Sequence, residues 1–247
     1  MKDRHHRQQS SQFRCDAECT SCTKNFNSLL SNLNTLDRSV LDEERIEGTY
    51  RKGEIIFKEN TFPSGLFCLN SGKVMITVSD ENGNRIVTNL LQEVNFLGIS
   101  DFLSGLPYQS SCIALSDVKV CMIKSKAVEE LLSNNPTFSR NLITNLARDY
   151  NQSCKRLLDI TKKNMNVRLA SALLQLIDVF GTDEHDNIDV YLKRSEISQI
   201  CNMNETNVIR HLSLLSKMGA IQTNGKKIRV LNHTILFQEA NENYTGQ

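Results

Sequence analysis

The stretch that decides the fold begins Leu192-Lys193-Arg194-Ser195-Glu196-Ile197-Ser198-Gln199-Ile200, turns at Cys201-Asn202-Met203, and resumes Asn204-Glu205-Thr206-Asn207-Val208-Ile209-Arg210-His211-Leu212. Its periodicity predicts two helices, over 194–200 and 204–218, joined by a tight turn. Residues 219–230 follow as a hairpin with Asn224-Gly225 at the bend. Helix, turn, helix and β-wing together make a winged helix-turn-helix. In the second helix Val208, Leu212 and Leu215 are placed to face a core. Asn204, Glu205, Thr206, Asn207, Arg210 and His211 then fall on the N-terminal, outward side, where such a helix meets base edges. Arg210 suits bidentate contact with guanine and Asn207 suits adenine. Arg194, Lys217, Lys226, Lys227 and Arg229 suit phosphate.

Working back from that element, residues 167–180 read as an amphipathic helix and 181–187 as a loop. A longer helix starts at Asn135-Pro136 and runs to about residue 161, because proline is tolerated in the first turn. Along it Ile143, Leu146, Tyr150, Ser153, Leu157 and Ile160 keep alternating three- and four-residue steps. That spacing predicts a coiled-coil-like dimer seam. Further upstream, β-like runs at 54–57, 65–69, 73–78, 85–88 and 118–123 recur between glycine-bearing turns, as in an antiparallel barrel or roll. The fold class is therefore α+β. The expected units are an arm (1–25), a β-roll sensor (26–133), a dimerisation helix (134–161), a DNA-binding domain (162–235) and a tail (236–247). Between arm and roll, Leu29, Leu30, Leu33, Leu36, Val40 and Leu41 suggest a short helix.

The chain has 247 residues, 29 Lys+Arg against 28 Asp+Glu, and a formal charge of +1, so any nucleic-acid case rests on local clusters. No run approaches the ~20 apolar residues of a membrane span. No apolar segment follows the charged start, so a secretory signal is not expected. A cytoplasmic protein is the expectation, and there eight cysteines favour metal or redox chemistry over a disulfide scaffold. Cys15, Cys19 and Cys22 crowd one short stretch, where mutually repelling thiolates gain from a metal. In the run 118–123, Val118, Val120 and Met122 point one way. Lys119, Cys121 and Ile123 point the other, so Cys121 is placed to meet an arm folded over the roll. Four thiolates suit an iron–sulfur cluster or zinc. Cys68, Cys112, Cys154 and Cys201 read as small buried apolar side chains. No catalytic constellation stands out, so no enzyme is expected; a thiol-based enzyme or metal-handling protein is the remote alternative.

The residues 192–200, Arg210, and Lys162-Lys163-Asn164 followed by Arg168-Leu169-Ala170 resemble the CRP/FNR superfamily of bacterial transcription regulators over nearly the whole chain. The resemblance implies a cyclic-nucleotide-binding-like roll, a homodimer, double-stranded promoter DNA as ligand and RNA polymerase as partner. It also implies the FNR branch: Cys19 and Cys22 match two cluster ligands there, and Ala114-Leu115 with Val120-Cys121 resembles the segment bearing the distant one. Ser28 stands at the remaining ligand position, so the expected set is Cys15, Cys19, Cys22 and Cys121 around a [4Fe–4S] cluster sensing oxygen, nitric oxide or redox state. Structural zinc, or no cofactor and another signal, is the alternative. Thr206 replaces the family's base-reading glutamate, which implies a different half-site. Ser153 replaces a seam aspartate of the oxygen regulator, which favours a constitutive dimer as much as a monomer–dimer switch. The family holds a cyclic nucleotide with a Gly-Glu pair and an arginine. The matching residues here, Phe96-Leu97-Gly98-Ile99-Ser100-Asp101 and Pro107-Tyr108-Gln109-Ser110-Ser111, contain neither, so no cyclic nucleotide is expected.

Overall fold

The computed structural model describes residues 33–93, 95–162 and 164–241. Cys15, Cys19, Cys22, Leu29 and Leu30 lie outside them. Eight strands pair into two antiparallel sheets. Strands β1 (Arg45–Tyr50), β3 (Gly65–Ser71), β6 (Asn95–Leu97) and β8 (Val118–Lys124) form one, in the order β1-β8-β3-β6. Strands β2 (Ile55–Phe57), β4 (Lys73–Ser79), β5 (Arg85–Gln92) and β7 (Ser111–Ala114) form the other, in the order β2-β7-β4-β5. Alternation along the strands puts Leu69, Val74, Val118 and Val120 between the sheets. Phe57 and Tyr108 stack beside them with ring centres 4.1 Å apart. The β3–β4 turn depends on Gly72, where φ is +98° and a Cβ would stand 2.4 Å from the Asp117 carbonyl oxygen.

The sheets' outer faces have different covers. Leu66 and Ile123 on the first sheet pack under α1 (Thr35–Glu43), α3 (Ser125–Asn134) and the start of α4 (Pro136–Lys162), against Leu41, Leu131, Phe138 and Leu142. Met75, Val87, Leu90 and Ile113 on the second sheet join one apolar cluster with Leu169, Leu173 and Phe180 of α5 (Met165–Phe180). The C-terminal half therefore sits on the roll through apolar contact. Two lysines pin the junction: Lys73 forms an ion pair with Asp189 at 2.6 Å, and Lys52 donates to the Tyr191 carbonyl oxygen.

The long helix begins where proline predicts it, with the Asn135 side chain accepting from the Phe138 amide at 2.9 Å. After α4, Asn164 caps α5 by accepting from the Val167 amide at 3.0 Å. Then come α6 (Arg194–Cys201), α7 (Glu205–Lys217), strands β9 (Ile221–Asn224) and β10 (Lys227–Val230), and α8 (His233–Asn241).

Three expectations need correction. The wing turns at Gly225-Lys226 rather than Asn224-Gly225, because Asn224 is already paired with Lys227. The expected tail starts as helix: α8 buries Leu236 and Ala240 in the cluster around α5. Strands β1, β6 and β7 and the short helix α2 (Ile99–Ser104) were not read from the sequence. Of these, β6 and α2 are too short to show a period, and β7 is buried at every position, so it does not alternate.

Candidate nucleic-acid interface and sensor sites

Helix α7 is set at its start by Asn204, whose side chain accepts from the Asn207 amide at 2.8 Å. Val208, Leu212 and Leu215 are buried, which leaves Glu205, Thr206, Ile209, Arg210 and Ser213 exposed. Asn207 is half-buried, and its side-chain amide points at the Met165 sulfur, 3.2 Å away. His211 does not belong to the outward set. It is only 6% exposed, and its Nε2 lies 3.3 Å from the Arg210 guanidinium. Positions 208, 211, 212 and 215 follow the 3-1-3 rhythm of one buried helix face, so the spacing itself places His211 inside. Burial, and secondarily the Arg210 charge, hold its pKa below the ordinary value.

Arg194 also differs from an outward phosphate contact. Its guanidinium donates to the Gly225 carbonyl at 3.1 Å and so braces α6 against the wing turn. Its other terminal nitrogen is buried with no hydrogen-bond partner. Lys217, Lys226 and Lys227 are exposed, with Lys227 lying 5.4 Å from the Tyr191 ring centre. Arg229 faces Asp186 at 3.8 Å. Sequence reasoning missed what faces the wing: Lys52 and Lys73 of the roll line a cleft of about 780 Å³ together with Lys226 and Lys227. A second cleft, about 730 Å³, separates the β4–β5 turn (Asp80, Gly83, Asn84) from Asn202, Asn204 and Glu205 at the start of α7. No signal within either segment alone announces these clefts, because they arise from docking of the two halves.

On the dimer seam, Ile143, Tyr150 and Leu157 are 65%, 70% and 63% exposed. They step by seven residues, one coiled-coil repeat. Ser153 is exposed as well, while Leu146 is half-buried against the roll cluster. The side chain of Ile160 lies outside the described residues. Tyr150 and Ser153 also line a cavity of about 490 Å³ between the roll and α4, with Leu97, Ser100, Asp101, Gln109 and Asp149. Among the described residues no lysine or arginine lines it. Burial raises the pKa of both Asp101 and Asp149. A cyclic phosphate placed there would meet acids instead of a cation.

Cys121 is 8% exposed, on the helix-covered side of β8 where alternation places it. Its register partner across β3 is Cys68. Sequence reasoning missed this pairing, which only strand register reveals. Cys112 and Cys201 are buried, and burial pushes the Cys112 thiol far up. Cys154 departs from expectation, since it is exposed on α4. Among the described residues no group of three or more His, Cys, Asp or Glu is arranged to hold a metal.

Both halves match known families: residues 47–135 match the Cyclic nucleotide-binding domain and residues 167–238 the Crp-like helix-turn-helix domain. The chain belongs to the CRP/FNR superfamily. Curated relatives include the Transcriptional activator protein FnrA of Stutzerimonas stutzeri, 24% identical over 87% of this chain and 89% of that protein. The Electron transport regulator A of Shewanella oneidensis is 25% identical over 89% and 88%. The CRP-like cAMP-activated global transcriptional regulator of Mycobacterium tuberculosis is 24% identical over 77% and 86%. A crp/fnr family regulator from Eubacterium rectale shares the fold at TM-score 0.72 and 18% identity, covering 86% of this chain and 97% of its own. FixK2 from Bradyrhizobium japonicum does so at 0.69 and 21%, covering 78% and 96%. CRP/FNR-type regulators bind DNA and are dimeric, and this chain is one of them. No helix among the described residues is long and apolar enough to cross a membrane.

Proposed function

We propose that this CRP/FNR-type regulator senses oxygen, nitric oxide or redox state through a [4Fe–4S] cluster held by Cys15, Cys19, Cys22 and Cys121. The observation that carries the reading is the position of Cys121. It is held on the face of the roll whose apolar cluster also buries Leu33, eleven residues after Cys22 in the chain. Eleven residues span up to ~37 Å, ample to return the arm to β8. Thiolates are the donors such a cluster takes, and when bound it would supply a centre that oxygen or nitric oxide destroys. The chain's own part is to hold Cys121 rigidly in β8, to place α4 beside it through the cluster of Phe138 and Leu142, and to pair two chains along Ile143, Tyr150 and Leu157. Two copies of α7 then read a promoter, with Glu205, Thr206 and Arg210 toward base edges and Lys217, Lys226 and Lys227 toward phosphate. RNA polymerase is the expected partner, the cytoplasm the compartment, and no catalytic chemistry is assigned. The acidic lining of the cavity between the roll and α4 supports a protein that takes no cyclic nucleotide.

Iron and acid-labile sulfide in anaerobically isolated protein test this reading, with wild type beside Cys121→Ala and Cys15→Ala. Iron and sulfide in equal amounts in wild type, lost in both variants, support it. Zinc in their place, or no metal, refutes the cluster, and a full cluster in Cys15→Ala refutes the ligand set.

A further inference from the structure

The two sheet cysteines carry an inference independent of the arm. Cys68 and Cys121 are direct register partners in the antiparallel β3–β8 pair. Opposed residues in such a pair project from the same face with Cβ atoms ~4.5–5.5 Å apart. The Cα separation of opposed residues, ~4.5–5.5 Å, falls inside the Cα window of a disulfide, and closing the bond draws the two Cβ atoms together by up to ~1 Å, to the ~3.5–4.5 Å it requires. The shared face is the helix-covered one, since Cys68 packs against the cluster that contains Leu66 and Ile123. The same cross-strand row continues through Glu47 on β1, the partner of Cys121 on its other side. Glu47 is held by Arg45 at 3.4 Å, and both side chains are largely buried.

We propose that Cys68 and Cys121 form a dithiol modification site, closed to a disulfide by oxidants of the hydroperoxide class. Half-buried Cys68 is the accessible member and reacts first. Its thiolate attacks the terminal oxygen, the O–O bond breaks, and the sulfenic acid forms as the alkoxide takes up the proton lost by the Cys68 thiol and leaves as alcohol (water, for hydrogen peroxide). The Cys121 sulfur then attacks the sulfenic sulfur, the S–O bond breaks, and the departing hydroxide takes up the Cys121 thiol proton and leaves as water. Two thiols and one hydroperoxide give one disulfide, one alcohol and one water. Cys112 stays reduced, because burial keeps its thiol protonated. The site needs no iron, and its closure would withdraw Cys121 from any metal.

The test uses metal-free full-length protein carrying Cys15→Ser, Cys19→Ser and Cys22→Ser, so that arm thiols cannot compete, with wild type in parallel. After hydrogen peroxide at one equivalent, free thiols are alkylated and peptides are mapped by mass spectrometry under non-reducing conditions. The expected result is a peptide linking Cys68 to Cys121 as the major oxidised product, reversed by dithiothreitol and absent in Cys68→Ala. Cys121→Ala supplies the reciprocal control, with far-ultraviolet circular dichroism confirming its fold. Alkylation of both Cys68 and Cys121 after peroxide, or preferential linkage through Cys154 or Cys201, overturns the proposal. Loss of iron binding in the arm variant bears only on the cluster and leaves this outcome unaffected.

Discussion

Helices α4 and α7 are both amphipathic, yet they spend their outer faces differently. Helix α7 buries Val208, His211, Leu212 and Leu215 in its own domain and shows a mainly polar face around Thr206 and Arg210. Helix α4 buries Phe138 and Leu142, then presents Ile143, Tyr150 and Leu157 bare. An exposed polar face with a guanidinium suits a hydrogen-bonding ligand such as DNA, whereas a bare apolar stripe at heptad spacing suits a second copy of itself. The contrast assigns each helix a partner by the chemistry it leaves unsatisfied.

The comparison breaks most visibly at the seam. Tyr150→Glu with Leu157→Glu should weaken the dimer about 100-fold or more, because an unpaired buried charge costs roughly 3 kcal/mol or above. Sedimentation velocity reads this directly, and an unchanged dimer would remove α4 as the interface. Next in size is Arg210→Ala. It should lower affinity for the specific site about 5- to 150-fold, equivalent to ~1–3 kcal/mol, with little change for random DNA. Fluorescence anisotropy on both DNAs separates a base contact from a general loss of charge.

Smaller effects sharpen the account of α7. Asn204→Ala removes the cap and should cost ~1 kcal/mol, about 2–4 °C in melting temperature. His211 supplies a pH signature. Its folded-state pKa lies below the ordinary 6.5, so on acidification the unfolded chain binds a proton before the folded one does. Stability contributed by neutral His211 is thus present above about pH 6.5 and falls as pH drops through that value toward the folded pKa. Urea midpoints between pH 7.5 and pH 5 should decline more steeply in wild type than in His211→Gln.

What was legible follows from the range of the interaction involved. Helices announce themselves by local spacing: the seam stripe and the buried residues of α7 are visible in one dimension. His211 shows the cost of not carrying that spacing through, since the rhythm that put Val208 and Leu212 inward also puts His211 inward. The all-buried β7 carries no alternation to read. Contacts made only by the closed fold were out of reach, among them Arg194 bracing the Gly225 carbonyl, Lys52 at the wing and Cys68 opposite Cys121. Each joins segments far apart in sequence, so register or docking decides it.

A hydroxyl-radical footprint of the full chain on DNA selected for tight binding tests most directly whether α4 pairs the chains so that two α7 helices read together. Two protected segments on one face of the duplex, centred about 34 Å apart and related by two-fold symmetry, are the predicted result. A single protected half-site, unchanged by Tyr150→Glu with Leu157→Glu, would contradict it.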